Sequence, residues 1–112
     1  WGMTEMSPLG TVSALTEHAA TLDPEAQLAI MRKQGRVPFG VDMKLADDEG
    51  RTLPHDGSPP GHLKVRGPAV IARYFGDEQR DVLDAEGYFD TGDIATIDPE
   101  GYMSIADRAK DL

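Results

Sequence analysis

Short runs of alternating apolar and polar residues fill most of the chain after its first third. Side chains alternate in this way at 41–45 and at 61–67, which is the pattern of strands with one buried face. Two further short strands are predicted on either side of the Pro-Glu-Gly turn at 99–101, the first of them over 94–97. Turns containing glycine and aspartate recur about every ten residues between these runs, a spacing typical of an antiparallel sheet. The turn at 47–50 leads to a return strand at 51–54, so a hairpin is predicted there.

A helical signal precedes these strands. Asp23 can cap a helix, Pro24 suits its first position and Gly35 can end it, so a helix is predicted over 24–34. The helix is expected to bury one apolar side, which consists of Ala26, Leu28, Ala29, Ile30 and Met31.

A second short helix is predicted over 69–75, where Pro68 opens an apolar run. Residues 9–15 and 82–83 could add short strands, although Gly10 weakens the first. The fold class expected is therefore α+β, mainly β with two short helices. Its strands are expected to form a distorted antiparallel barrel.

Composition narrows the class of function. The 112 residues suit one domain or part of one, and 20 acidic against 11 basic residues give a net charge of −9. This balance argues against nucleic acids and anionic membranes as partners, and no apolar run is long enough to span a bilayer. The chain lacks cysteine, which fits a reducing cytoplasm. It begins with Trp1 instead of methionine, so a fragment of a longer enzyme is expected.

The last quarter holds the most suggestive polar residues. Asp93 follows Gly92 in a predicted Thr-Gly-Asp turn, and its carboxylate could accept hydrogen bonds from the vicinal hydroxyls of a ribose. It could equally satisfy the backbone of its own turn. Arg108 could bind a hydroxyl or a phosphate, or form a surface ion pair with Asp107 or Asp111. The residues alone leave both questions open.

The first five residues, Trp-Gly-Met-Thr-Glu, offer a second candidate. Thr4 and Glu5 supply a hydroxyl and a carboxylate, which suit Mg²⁺ and phosphate. Trp1 could stack on a flat ring or serve only in packing. The three histidines are too far apart for metal-ligand spacing, and the sequence has neither a Ser-His-Asp signature nor a glycine-rich phosphate loop.

Four motifs together resemble one family. Residues 1–5 resemble the Tyr-Gly-x-Thr-Glu motif of adenylate-forming enzymes, the superfamily of acyl-CoA synthetases, luciferases and peptide-synthetase adenylation domains. The stretches 61–74, 87–93 and 101–111 resemble the next conserved blocks of that superfamily, in the same order. Their detail is most similar to bacterial medium- and long-chain fatty-acyl-CoA ligases.

The resemblance implies a fold and an activity. Residues 1–112 would form the β-rich subdomain of the large N-terminal, AMP-binding domain, ending at the hinge to a missing C-terminal domain. The parent enzyme would activate a fatty acid or another carboxylic acid with ATP and Mg²⁺ to an acyl-adenylate, and transfer the acyl group to CoA. The roles implied are adenine stacking by Trp1, pocket lining by Gly2 and Met3, phosphate contact by Thr4, Mg²⁺ binding by Glu5, ribose binding by Asp93 with Arg108 beside it, and a hinge at Lys110.

Other readings stay open at this point. The parent could be a CoA ligase for an aryl or a short sulfur-containing acid, or the chain could be a non-catalytic β binding module. An acidic protein–protein adaptor has only the net charge in its favour. Because the family's phosphate loop and C-terminal lysine are not in this sequence, the isolated chain is expected to be inactive. Apolar surface exposed by isolation could make it a homodimer.

Overall fold

The strands form one antiparallel sheet. The computed structural model describes residues 1–3, 6, 10–68, 70 and 82–108. Its elements in chain order are α1 (Glu17–Ala20), α2 (Pro24–Met31), β1 (Asp42–Ala46), β2 (Thr52–Leu53), β3 (Gly61–Arg66), β4 (Phe89–Ile97) and β5 (Met103–Arg108). The sheet order is β2-β1-β3-β4-β5, with antiparallel pairing throughout. The expectation of a mainly antiparallel sheet with two short helices is confirmed.

Backbone pairing continues beyond β5. Gly35 pairs with the first residue of β5, and Arg36 pairs with Val12. The amide of Thr11 then donates to the carbonyl of Trp1 at 2.9 Å. Residues 35–36, residues 11–12 and Trp1 thus follow one another beyond β5, each linked to the next by backbone hydrogen bonds, as in a sheet that curls.

The inner face of the sheet carries two apolar clusters, to which β3 and β4 both contribute. The first cluster consists of Leu45, Leu63, Ala95, Ile97 and Met103. The second consists of Met6, Val65 and Phe89. Trp1 packs against both clusters and links them into one core.

Helix α2 begins as predicted but ends earlier. The Asp23 side chain accepts a hydrogen bond from the amide of Ala26 at 2.8 Å, which caps the first turn. The helix ends at Met31 instead of residue 34. The cause is tertiary, because the amide of Gln34 donates to the carbonyl of Met103 at 2.8 Å and so belongs to the sheet edge.

The prediction that α2 buries an apolar side is wrong. No residue of α2 is buried, and Leu28 and Met31 are 52% and 47% exposed. Within the described residues, α2 therefore adds little to the core. Neither described helix is long and apolar enough to cross a membrane.

Smaller differences concern short elements. The hairpin is confirmed as β1 and β2. In the described part of the segment 9–15, residues 10–15, Val12 forms a single bridge, and in 82–83 a bridge joins Leu83 to Phe89. Helix α1, capped by Thr16, was not predicted. The helix predicted over 69–75 lies outside the described residues, except for Val70.

Three loops with the sequence Asp-x-Glu-Gly share one geometry, at 47–50, 84–87 and 98–101. In each, Oδ1 of the aspartate accepts hydrogen bonds from the amides two and four residues later, at 2.8–3.0 Å. Each glycine has a positive φ of 85° to 91°, which other residues rarely adopt. The repeated glycine and aspartate are therefore required by the backbone of these loops.

Candidate functional site

The Thr-Gly-Asp motif lies in an irregular part of β4. The pairing of β3 with β4 shifts in register between His62 and Lys64, so that Leu63 alone faces residues 91–93. The motif was predicted as a turn before a strand, but it lies inside the nine-residue strand β4. Its glycine accommodates a bulge instead of ending the strand.

Each motif residue has a defined backbone role. The hydroxyl of Thr91 donates to the carbonyl of Leu63 at 2.8 Å and accepts from the amide of Asp93 at 3.2 Å. Gly92 has a φ of +77°, and its amide donates to Oδ1 of Asp90 at 3.0 Å. These contacts fix the backbone on both sides of the bulge and therefore the position of Asp93.

Asp93 is a carboxylate on the core side of the sheet. It is 9% exposed and shares one face of β4 with the buried residues Phe89, Thr91 and Ala95. Arg108 of β5 is its direct partner in the ladder between β4 and β5. Ionised side chains are rarely buried in this way unless they are partnered or serve a ligand.

Trp1 lies on the same side of the sheet. Along β4, Asp93 stands between Phe89 of the second cluster and Ala95 of the first, and Trp1 packs against both clusters. The ring of Trp1 covers Gly10, where an added Cβ atom would lie only 2.1 Å from Cζ3 of the indole. Trp1 is half-buried, so the structure supports its packing role while leaving part of the side chain accessible.

The remaining predicted site residues are distributed as follows. Gly2 is exposed, and Met3 packs against the second cluster. Thr4, Glu5 and Lys110 lie outside the described residues. In the described part of the chain, no three histidine or acidic side chains come together in a way that could hold a metal ion.

An outer-face cluster at the start of β4 was missed by the sequence analysis. The Tyr88 ring lies between two cations, with Nζ of Lys44 at 4.2 Å and Cζ of Arg66 at 4.5 Å from its centroid. Oδ2 of Asp84 lies 3.8 Å from Nζ of Lys44 and 3.9 Å from Nζ of Lys64. Only the register of β1 against β3 brings these cations together, so no local sequence pattern indicates the cluster.

The cluster favours the ionised form of Asp84. Burial by itself raises the pKa of this carboxyl, but the amides of Tyr88 and Glu86 and the charges of Lys44 and Lys64 outweigh it, so the pKa lies below its ordinary value.

A similar cluster lies at the end of β4. Oδ2 of Asp98 accepts from Nζ of Lys33 at 2.8 Å, and the guanidinium of Arg36 lies 5.8 Å from the centroid of the Tyr102 ring. Burial again raises the pKa of Asp98, but the hydrogen bonds from Lys33 and from the amide of Tyr102 lower it by more than burial raises it. The net shift of the pKa is therefore downward. Tyr102 is buried.

Comparisons with known proteins identify the family to which this chain belongs. The chain belongs to the AMP-binding enzyme family, whose family model matches residues 1–75. This confirms the resemblance to adenylate-forming enzymes that was inferred from the motifs.

Among curated relatives, the chain is 47% identical over 112 residues to the medium-chain-fatty-acid–CoA ligase of Ectopseudomonas oleovorans. It is 50% identical over 113 residues to the 3-methylmercaptopropionyl-CoA ligase of Ruegeria pomeroyi. The matches cover 100% of this chain but 20% and 21% of those proteins, so the chain spans about a fifth of their length.

A solved structure gives the same fold. The O-succinylbenzoate coenzyme A synthetase of Bacillus subtilis, in complex with AMP, matches with a TM-score of 0.77 and 26% identity. That match covers 100% of this chain and 26% of the synthetase.

Proposed function

We propose that this chain is the β-rich part of the AMP-binding domain of an ATP-dependent acyl-CoA synthetase. The whole protein would join the carboxylate of an acid to the AMP part of ATP with release of pyrophosphate, and would then transfer the acyl group to the thiol of CoA with release of AMP. The observation that carries this proposal is the Asp93 carboxylate, which lies on the core side of the bulge in β4 and opposite Arg108.

Asp93 would bind the ribose of ATP. The two oxygens of a carboxylate can accept hydrogen bonds from the two vicinal hydroxyls of a ribose, and such bonds to an ionised acceptor are stronger than neutral ones. The low exposure of Asp93 favours this role, because hydrogen bonds strengthen where water is scarce. Arg108, its partner in the ladder, would contact a hydroxyl or phosphate nearby.

Trp1 would stack on the adenine ring. Its indole lies on the same side of the sheet as Asp93 and is partly accessible, and base–aromatic stacking needs only a free ring face. The backbone of Gly2 and Met3 would line the pocket for adenylate and acyl chain.

Thr4, Glu5 and Lys110 complete the proposed site on sequence grounds. Thr4 would contact phosphate oxygens, and Glu5 would bind Mg²⁺, which prefers carboxylate oxygen and neutralises phosphate charge when bound. Lys110 would form the hinge to the second domain of the enzyme. The domain boundary at this hinge remains a proposal of the same kind.

The acid is proposed to be a medium- or long-chain fatty acid. A short sulfur-containing acid is the second candidate, because the chain is as similar to a 3-methylmercaptopropionyl-CoA ligase as to a fatty-acid ligase. An aryl acid or a non-catalytic binding role would follow if neither acid is turned over. Assay of the full-length protein with a panel of acids, ATP and CoA decides among these.

Substitution of Asp93 tests the proposal directly. In the full-length protein, Asp93→Asn should raise the KM for ATP roughly tenfold or more, because a charge-assisted hydrogen bond contributes about 1.5–3 kcal/mol. Asp48→Asn is the matched control, since Asp48 is an exposed aspartate in the turn between β1 and β2, paired with His62. An unchanged KM in Asp93→Asn would show that Asp93 does not bind the nucleotide.

Two further expectations accompany the proposal. The 112-residue chain alone should release no pyrophosphate from ATP and a fatty acid, and turnover by the purified chain would contradict this. The cytoplasm remains the predicted compartment, which fractionation of cells expressing the tagged full-length protein would check. Homodimerisation of the isolated chain also remains a prediction, for analytical ultracentrifugation.

A further inference from the structure

Strand β4 is bounded by two loops of nearly identical sequence. Residues 84–88 read Asp-Ala-Glu-Gly-Tyr and residues 98–102 read Asp-Pro-Glu-Gly-Tyr. In both loops the aspartate amide donates to the tyrosine carbonyl, at 2.8 Å in the first and 3.0 Å in the second. In both, the aspartate carboxylate accepts from the tyrosine amide.

The two loops also make the same kinds of side-chain contact with the rest of the chain. An arginine lies over each tyrosine ring and donates to the carbonyl of the loop glutamate: Arg66 to Glu86 at 3.2 Å, and Arg36 to Glu100 at 2.7 Å. In each loop a lysine meets the second oxygen of the aspartate. The loop at 47–50 has the same backbone geometry but no tyrosine, and among the described residues no arginine from another strand contacts it.

These contacts attach the two ends of β4 to different parts of the molecule. The first loop ties the start of β4 to β1 and β3 through Lys44 and Arg66. The second ties its end to residues 33–36 and, through the hydroxyl of Tyr102, to the carbonyl of Ala14 at 2.7 Å. Between these fixed ends, the bulge at 91–93 takes up the residues that do not match β3.

The contacts of the first loop also explain how the sheet tolerates an unfavourable pair of lysines. Lys44 and Lys64 stand directly opposite each other in the ladder between β1 and β3. Like charges at such positions destabilise a sheet. Oδ2 of Asp84 lies within 4 Å of both ammonium groups, so the first loop compensates their repulsion.

From this arrangement we infer that the two loops are paired positioning elements for Asp93, with Tyr88 and Tyr102 as their positioning residues. The inference rests on the proposed binding of ribose by Asp93. Because side chains alternate along a strand, a slip of one residue would turn Asp93 from the core side to the outer side. Loops fixed at both ends of β4 oppose that slip and hold the bulge at Thr91–Asp93.

The test uses the full-length protein and compares ATP with 2′-deoxy-ATP. If Asp93 binds the ribose, the wild type should prefer ATP in kcat/KM by about tenfold, and Asp93→Asn should abolish most of that preference. Tyr88→Leu should reduce the preference about fivefold, because it removes the ring from between two cations. Tyr88→Phe should keep the wild-type preference for ATP, since phenylalanine keeps the ring.

A general loss of stability would lower activity with both nucleotides alike and would leave their ratio unchanged. The ratio therefore separates positioning from folding. If Tyr88→Leu yields no folded protein, Asp84→Asn replaces it, and Asp47→Asn is the matched control because Asp47 makes the same two backbone contacts away from β4. Asp84→Asn should lower the ratio, and Asp47→Asn should not.

The outcomes distinguish the inference from the function on which it rests. If Asp93→Asn leaves the nucleotide preference intact, the proposed role of Asp93 fails, and the inference fails with it. If Asp93→Asn abolishes the preference while Tyr88→Leu and Asp84→Asn do not lower it, the inference alone is overturned. If Tyr88→Phe loses the nucleotide preference, the inference is also overturned, because the contact of the ring with the two cations would then not hold the loop in place.

Discussion

The hydroxyl of Thr91 bridges the two strands at the bulge, donating to the carbonyl of Leu63 and accepting from the amide of Asp93. Thr91 is buried, so water cannot replace these bonds. Thr91→Val should therefore cost about 1–3 kcal/mol of local stability, the usual penalty for leaving a buried polar group unpaired. Faster hydrogen exchange at the Asp93 amide would report it.

Thr91→Ser is the control for this prediction, since it keeps the hydroxyl and loses only a methyl group. It should retain most of the protection at Asp93. Equal loss of protection in the Val and Ser variants would mean that the methyl group, and not the hydroxyl, holds the bulge.

Gly10 is required by the Trp1 ring. A Cβ at residue 10 would lie 2.1 Å from Cζ3 and 2.4 Å from Cε3 of the indole, so Gly10→Ala must displace the ring. We expect a loss of about 1–3 kcal/mol, as for other overpacked cores, together with a higher KM for ATP if Trp1 stacks on adenine. Denaturant unfolding and steady-state kinetics of the full-length protein measure the two effects.

Gly50→Ala separates packing from backbone strain. Gly50 has a φ of +85°, but a Cβ there meets no atom within 4 Å. Its replacement should cost about 1–2 kcal/mol through the backbone alone and leave the KM for ATP unchanged. A KM that rises equally in both variants would argue against a specific role for Trp1.

The aspartate loops at both ends of β4 should weaken in acid. The pKa of Asp84 and of Asp98 is lowered in the folded protein, so each carboxylate contributes stability that is present above its unfolded pKa, about 3.9. That contribution is lost as the pH falls through this value towards the folded pKa. Hydrogen exchange at the amides of Tyr88 and Tyr102, corrected for intrinsic rates, should accelerate over this range.

Asp98→Asn provides the check on this pH dependence. The variant keeps a side-chain oxygen but cannot titrate, so protection at the Tyr102 amide should become nearly independent of pH between about 3 and 5. Protection at Tyr88 should keep its pH dependence, because Asp84 is unchanged. An identical acid response at Tyr102 in wild type and variant would assign the effect to another group.

The hydroxyl of Tyr102 joins the loop at 98–102 to the segment before α1. It donates to the carbonyl of Ala14 at 2.7 Å and accepts from the amide of Thr16 at 2.9 Å. Tyr102→Phe leaves both groups without this partner and should cost about 1–3 kcal/mol of local stability. Exchange at the Thr16 amide should accelerate, whereas exchange at Tyr88 should stay as in the wild type; acceleration at both sites would indicate global unfolding instead.

Much of the sheet could be predicted from alternation, because each of β1, β3 and β4 places apolar residues on one face. The length of α2 could not, because its end is decided by the bond between Gln34 and Met103, which are distant in sequence. Its exposure also escaped prediction, since apolar residues such as Leu28 indicate burial only where another element covers them.

Candidate site residues such as Asp93 could be named from the sequence, but their geometry could not. Gly92 was interpreted as part of a turn, although only the register against β3 distinguishes a turn from a bulge. The three Asp-x-Glu-Gly loops could have been found, because an aspartate and a glycine recur three residues apart at 47, 84 and 98. The cations around Tyr88 could not, since they come from two other strands.

The loops at the ends of β4 differ in sequence at a single position, Ala85 in one and Pro99 in the other. Proline suits the second position of such a turn because it already has the required φ. One substitution, Ala85→Pro, would therefore give the first loop the five-residue sequence of the second. Because proline restricts the backbone, that substitution is expected to stiffen the loop at the start of β4.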